Sequence, residues 1–131
     1  QAECKRYNEI LNRFPRDLQL LGLGSNGHIA FNEPGTPFDS TTHVVDLTEN
    51  TVTDNARLFD NISEVPRKAF TMGIKQIMQA KQILILASGA NKSDAVYKTV
   101  CGGVTEEVPA SVLQLHPNCI LILDKEAASK L

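Results

Sequence analysis

One imidazole, one carboxylate and two amides lie within eight residues of a glycine-rich segment. These side chains belong to Asn26, His28, Asn32 and Glu33. Histidine suits proton transfer between sugar or carbonyl oxygens because its ordinary pKa lies nearest neutrality. A nearby carboxylate can orient the ring and stabilise its protonated form. The segment therefore predicts acid–base chemistry, and the competing interpretation is a loop histidine that only hydrogen-bonds to backbone.

The glycines of this segment also fit the pattern of a dinucleotide-binding loop. Gly22, Gly24 and Gly27 match G-x-G-x-x-G, and Asp46 follows about twenty residues later. That motif needs a helix directly after its third glycine, but only six residues separate Gly27 from Pro34. A nicotinamide or flavin site is therefore disfavoured. The glycines are instead expected to allow tight turns and the close approach of a small ligand.

Two basic residues are candidates for holding an anion. Lys92 follows the turn at 88–91, where backbone N–H groups at the start of a helix suit a phosphate. Arg57 lies in a second helical stretch. For either residue taken alone, a solvated side chain is the favoured interpretation. A metal site is disfavoured, because no recognised ligand spacing relates the histidines and cysteines, which are His28, His43, His116, Cys4, Cys101 and Cys119.

Composition excludes several classes of partner. The chain has 131 residues, 42% hydrophobic and 21% charged, with a net charge of -2. This balance provides no basic surface for nucleic acid and no polybasic signal for a membrane. The longest apolar run, 83–87, is too short to cross a bilayer. Three cysteines without CxxC spacing indicate reduced thiols and a cytoplasmic location.

Strands and helices alternate along the chain. Apolar spacing predicts a short helix at the C-terminus and helices over 2–14, 48–59, 73–80, 91–100 and 109–115. Strands are predicted over 17–23, 43–47, 68–72, 82–87 and 119–123. This order predicts one α/β domain over 1–131, with a Rossmann-like, open, mainly parallel sheet and helices on both faces. The loop at 24–42 then lies at the carboxyl end of a strand, where such sheets bind ligands.

Residues 24–34, Gly-Ser-Asn-Gly-His-Ile-Ala-Phe-Asn-Glu-Pro, resemble the signature loop of glucosamine-6-phosphate deaminases. The likeness continues over almost the whole chain, at 51–59, 65–66, 71–73, 88–92 and 111–116. The related phosphogluconolactonases share the Gly-His core but not the Phe-Asn-Glu-Pro continuation. The resemblance implies that glucosamine 6-phosphate and water become fructose 6-phosphate and ammonia, by isomerisation and loss of the amine, without a metal or organic cofactor.

The resemblance also implies a role for each candidate residue. His28 would be the acid and base that opens the pyranose ring, with Glu33 and Asn26 as its partners. The residues expected to bind the sugar phosphate are Arg57, Lys92 and Gly27. Many members of the family have aspartate in place of Asn26. An amide can still hydrogen-bond the imidazole but adds no negative charge, so Glu33 is expected to carry that role and, with His28, to set the pH optimum.

The resemblance begins at the helix that contains Cys4, whereas family members have a long N-terminal half before it. That half carries the carboxylate base for enolisation and a glycine-rich phosphate loop. The chain is therefore expected to be the C-terminal portion of a sugar-phosphate deaminase/isomerase domain. Its sheet would be incomplete on the N-terminal side, with apolar surface exposed unless a partner covers it, and the chain alone would turn over little substrate.

The expected partners are a small-molecule sugar phosphate and either the missing N-terminal half or further copies of the chain. Some members are hexamers with an allosteric phosphosugar site that uses basic residues on the strand after the loop. Residues 42–45 contain no Lys or Arg, so no activation by an N-acetylated sugar phosphate is expected. The alternatives are a non-catalytic phosphosugar-binding regulatory domain and a phosphogluconolactonase-like enzyme.

Overall fold

Three apolar strands lie side by side at the centre of the fold, which a computed structural model describes for residues 1–131. The elements follow in the order α1 (Ala2–Arg13), β1 (Leu18–Gly22), β2 (His43–Asp46), α2 (Glu49–Asn55), β3 (Lys68–Thr71), α3 (Ile74–Met78), β4 (Gln82–Ala87), α4 (Ser93–Cys101) and β5 (Cys119–Leu123). The central sheet is parallel and has the order β1-β4-β5. The prediction of an open parallel α/β sheet is confirmed.

One face of this sheet forms the core of the molecule. Ile83 and Ile85 of β4 are fully buried, and Leu21 of β1 is 6% exposed. They pack against a layer that includes α3, α4 and a 3-10 helix at Pro109–Leu115. β4 is the middle strand, so its uninterrupted apolar run is the one most suited to a buried position.

The opposite face of the sheet is apolar but exposed. The strand register places Leu20, Leu84 and Ile120 side by side across it, and Leu86 beside Ile122. Leu20 is 56% and Ile122 54% exposed. The helices predicted for both faces therefore cover only one face within these 131 residues. An exposed apolar face of this extent is typical of a surface that another element covers.

The predicted strands at 43–47 and 68–72 pair with each other rather than with the central sheet. β2 and β3 form a separate antiparallel ribbon in which His43 faces Thr71. The sheet is therefore parallel only in its central part. The loop before β2 packs onto the start of α3 at Gly73, where a Cβ atom would lie closer than 3.0 Å to the backbone of Ser40.

Helix boundaries differ from the sequence prediction in three places. The predicted helix over 48–59 is α-helical only as far as Asn55 and continues as a 3-10 turn. The segment at Pro109–Leu115 is 3-10 rather than α-helical. The predicted C-terminal helix is wrong, because residues 125–130 form turns. The Asp124 carboxylate accepts the N–H groups of Ala127 and Gly89 and holds this segment against the β4–α4 turn. None of the helices has both the length and the apolar character that crossing a membrane requires.

Candidate active site

The loop that carries Asn26, His28 and Glu33 begins where β1 ends and folds back tightly on itself. The Gly24 N–H donates to the carbonyl of His28 at 2.9 Å, and the Gly27 N–H donates to the carbonyl of Gly24. The His28 ring lies directly on Gly24, where any Cβ atom would come closer than 3.0 Å to it. Gly27 has a φ of 87°, a conformation that favours glycine. The glycines therefore set the position of the imidazole.

Hydrogen bonds join His28, Asn26 and Glu33 in a short relay. The His28 Nδ1 lies 2.7 Å from Asn26 Oδ1, and Asn26 Nδ2 donates to Glu33 Oε2 at 2.9 Å. Glu33 Oε2 also lies 3.5 Å from His28 Nδ1. Because the carboxylate takes the amide N–H, Asn26 turns its oxygen to the ring and can only accept. His28 must then carry its proton on Nδ1, which leaves Nε2 as the basic nitrogen.

The Glu33 carboxylate is 5% exposed and is surrounded by donors. Its Oε1 accepts a hydrogen bond from the Thr51 hydroxyl, and the Thr48 hydroxyl lies 3.4 Å from the same oxygen. Burial by itself raises the pKa of Glu33. Contacts with His28, Thr51 and Asn26 outweigh burial and lower that pKa to about 2. Glu33 is therefore negatively charged at every physiological pH, and its charge stabilises the His28 ring when that ring is protonated.

His28 opens onto a polar cleft of about 610 Å³. Arg57 and Lys92 line the same cleft, together with backbone from Gly22 to Gly24 and the turn after β4. Neither cation makes a hydrogen bond or an ion pair within the chain, so both are available to an anion. Asp54 is the carboxylate of the cleft and accepts from the Ser25 hydroxyl at 2.9 Å. The cleft thus pairs one acid–base group with two cations.

Two of the residues singled out from the sequence, Asn32 and Gly27, lie outside both the relay and this cleft. Asn32 is fully buried and donates through Nδ2 to the carbonyls of Ile29 and Met72, which anchors the loop to the end of β3. Gly27 does not line the cleft, and its carbonyl accepts the N–H of Ala110. Substrate contact by Gly27 stays a prediction. The structure holds no group of three His, Cys, Asp or Glu side chains placed to bind a metal ion.

Sequence reasoning missed the two threonines that contact Glu33. Thr48 caps α2, since its hydroxyl accepts the Thr51 N–H at 3.2 Å. The cap is visible in the sequence, but Thr51 lies 18 residues from Glu33 and only the tertiary fold brings them together. One signal in the sequence could have indicated a role for Thr51 beyond forming the helix. Thr51 stands at the third position of a capped helix, where Glu or Gln often occurs.

Comparison with known proteins places this geometry in a family. Residues 1–121 match the family model described as glucosamine-6-phosphate isomerases/6-phosphogluconolactonase. The chain is 61% identical over 131 residues to a glucosamine-6-phosphate deaminase of Lactobacillus delbrueckii subsp. bulgaricus, covering all of this chain and 56% of that protein. It is 59% identical to a glucosamine-6-phosphate deaminase of Streptococcus suis over 130 residues, 99% of this chain and 56% of that protein.

Solved structures agree with the sequence matches. A monomeric glucosamine-6-phosphate deaminase superposes with a TM-score of 0.97 at 51% identity, over 99% of this chain and 54% of that one. The 6-phosphogluconolactonase of Trypanosoma brucei gives 0.74 at 25% identity, over 100% of this chain and 55% of the other. The chain spans just over half the length of the relatives it matches. With its loop, relay and cleft in place, the chain belongs to the glucosamine-6-phosphate isomerase/6-phosphogluconolactonase family.

Proposed function

We propose that this chain is the C-terminal portion of a glucosamine-6-phosphate deaminase, which converts glucosamine 6-phosphate and water into fructose 6-phosphate and ammonia. The observation that carries the proposal is the His28–Asn26–Glu33 relay at the edge of a cleft with two unpaired cations. The relatives that share 61% and 59% identity carry this name, which supports the same assignment.

The relay suits ring opening of a pyranose. Neutral His28, protonated on Nδ1, takes the proton of the anomeric hydroxyl at Nε2, while Glu33 stabilises the imidazolium through Asn26 and directly at 3.5 Å. The bond between the anomeric carbon and the ring oxygen breaks, and Nε2 returns the proton to that oxygen. His28 ends as it began, so the same group serves as base and then as acid.

Arg57 and Lys92 are proposed to hold the phosphate of the substrate. Both line the cleft with His28, and two cations without ion-pair partners suit a phosphate dianion. The Asp54 carboxylate lines the same cleft and accepts the Ser25 hydroxyl. Gly27 stays a proposed substrate-binding residue on the family resemblance alone, since its N–H and its carbonyl are both hydrogen-bonded within the chain. The reaction as written uses no metal or organic cofactor.

The exposed face of the central sheet suggests where the rest of the protein lies. Its apolar side chains include Leu20, Leu86 and Ile122, each at least 45% exposed. We propose that the portion of the relatives beyond this chain, or a further copy of the chain, covers this face.

A cytoplasmic location is proposed from the three free cysteines. Activation by an N-acetylated sugar phosphate is not expected.

The test is ammonia release from glucosamine 6-phosphate, measured on the complete protein and on the 131-residue chain. The complete protein should release ammonia, and the chain alone should release little or none. Replacement of His28 by Asn should abolish release but preserve sugar-phosphate binding. The matched control is His43→Asn, which removes a histidine outside the cleft. Binding without ammonia release by the complete wild-type protein would favour a regulatory domain instead.

A second candidate is a lactonase, since the fold is shared with the Trypanosoma brucei 6-phosphogluconolactonase at a TM-score of 0.74. The same complete protein can be assayed for hydrolysis of 6-phosphogluconolactone. Hydrolysis of the lactone without ammonia release from the amino sugar would replace the deaminase proposal.

A further inference from the structure

The Glu33 carboxylate is held from two sides, and only one side belongs to the relay. Its Oε2 receives the amide of Asn26 at 2.9 Å, while its Oε1 receives the hydroxyl of Thr51. Thr51 is fully buried and has no route to the cleft. Its hydroxyl therefore acts on the chemistry only through Glu33, while its backbone carbonyl accepts the amide of Asn55 at 2.8 Å.

The direction of the Thr51 hydroxyl is fixed by the cap of α2. The Thr48 hydroxyl oxygen accepts the Thr51 N–H at 3.2 Å, so the proton of the Thr48 hydroxyl can be donated to a different acceptor. That proton reaches Thr51 Oγ1 at 3.1 Å, with Glu33 Oε1 farther away at 3.4 Å. Thr51 Oγ1 is then an acceptor from Thr48, and its single proton is directed to Glu33. The helix cap thus supplies a donor of defined direction to a carboxylate distant in the sequence.

We propose that Thr51 is a positioning residue, whose hydroxyl fixes the rotation of the Glu33 carboxylate and thereby the orientation of Asn26 and the tautomer of His28. The proposal deepens the proposed deaminase function and rests on it for the activity it predicts. Without the Thr51 donor, the carboxylate can rotate away from Asn26. The Asn26 oxygen also accepts the His28 backbone N–H at 3.2 Å, so loss of the Glu33 contact weakens the amide orientation and allows a flipped population. A flipped amide offers His28 an N–H instead of an oxygen. Nε2 would take the proton and lose its basic role.

The experiment compares Thr51→Val with Thr51→Ser in the complete protein. Valine keeps the branched shape and removes the donor, whereas serine keeps the donor and removes a methyl group. The matched control is Thr99→Val, because the Thr99 hydroxyl is buried without a partner. Thr51→Val should lower kcat about 10- to 100-fold, the range of one hydrogen bond to a charged group, with KM nearly unchanged. Thr51→Ser should stay within about 3-fold of wild type, well short of that loss.

A second measurement does not depend on turnover. Nitrogen-15 NMR of the His28 ring reports which nitrogen carries the proton, and carbon-13 NMR of Glu33 reports its titration. Wild type, Thr51→Ser and Thr99→Val should show the proton on Nδ1, while Thr51→Val should show a mixture of tautomers and a raised Glu33 pKa.

Two results would overturn the proposal. One is a Thr51→Val protein with the kcat and ring spectrum of wild type. Another is a Thr51→Ser protein as impaired as Thr51→Val, since this would assign the effect to packing of the methyl group. If wild type releases no ammonia, the deaminase assignment fails, but the ring spectra still decide the role of Thr51.

Discussion

Replacing Glu33 with Gln removes a charge from the relay while preserving its size. The ordinary pKa of 4.5 falls to about 2 in the folded protein, because contacts with His28, Thr51 and Asn26 exceed the effect of burial. Each unit of pKa corresponds to about 1.36 kcal/mol, so the carboxylate contributes about 3 kcal/mol to the free energy of unfolding at neutral pH. Glu33→Gln should lose about that amount at pH 7.

The pH dependence follows from the direction of the pKa change. Since the folded pKa is lower than the unfolded one, the stabilisation is fully present above pH 4.5 and is lost as pH falls towards about 2. The difference between wild type and Glu33→Gln should therefore be largest at pH 7 and shrink between pH 4.5 and 2. Urea unfolding of the complete protein, followed by circular dichroism at pH 7, 4.5 and 3, measures it.

The substitution should also change the chemistry. A glutamine that accepts from Thr51 at Oε1 directs its own amide towards Asn26 Nδ2, which places two donors together. Asn26 then flips and donates to His28, so the ring proton moves to Nε2. The pH–rate profile of the deaminase reaction should change and kcat should fall.

Glu107→Gln is the matched control, since Glu107 is exposed and makes no ion pair. It should leave both stability and the pH–rate profile unchanged. The reasoning would be refuted by a Glu33→Gln protein as stable as wild type at pH 7. It would also be refuted by a stability difference that stays constant from pH 7 to 3, or by an unchanged pH–rate profile.

Three further substitutions test other parts of the structure. Gly24→Ala places a Cβ atom within 3.0 Å of the His28 ring, so it should lower kcat at least about 10-fold, measured by steady-state ammonia release. Gly73→Ala places a Cβ atom against the backbone of Ser40, which cannot move aside as a side chain can, and should lower the free energy of unfolding by about 1–3 kcal/mol in urea. Lys92→Met removes a cation from the cleft and should raise KM for the sugar phosphate about 10-fold, while a rise no larger than 2-fold would assign phosphate binding elsewhere.

The central strands could be predicted from the sequence, but their environment could not. The run at 82–87 is uninterrupted and apolar, and it forms β4 as expected. The alternation of strands and helices predicted layers on both faces, yet Leu20 and Ile120 lie exposed on a bare face. Hydrophobicity shows that a side chain favours burial, but not whether the covering element lies within the same 131 residues.

The ribbon of β2 and β3 shows a second limit of sequence reasoning. Both segments have β-strand character, and both form strands. Their antiparallel pairing apart from the central sheet depends on contacts between residues about 25 positions apart, such as Val44 with Phe70. Strand propensity does not specify a partner, because pairing is decided by long-range packing.

The sequence by itself determined the short-range chemistry of this protein. Asn26, His28 and Glu33 lie within eight residues, so the loop can assemble the relay with few long-range contacts. Only the tertiary structure decided what surrounds it: Thr51 reaches Glu33 from a helix 18 residues away, and Lys92 reaches the cleft from the far end of β4. Hydrogen bonds and charges act over a few ångströms of space, so groups distant in sequence become partners only when the sheet has brought their strands together.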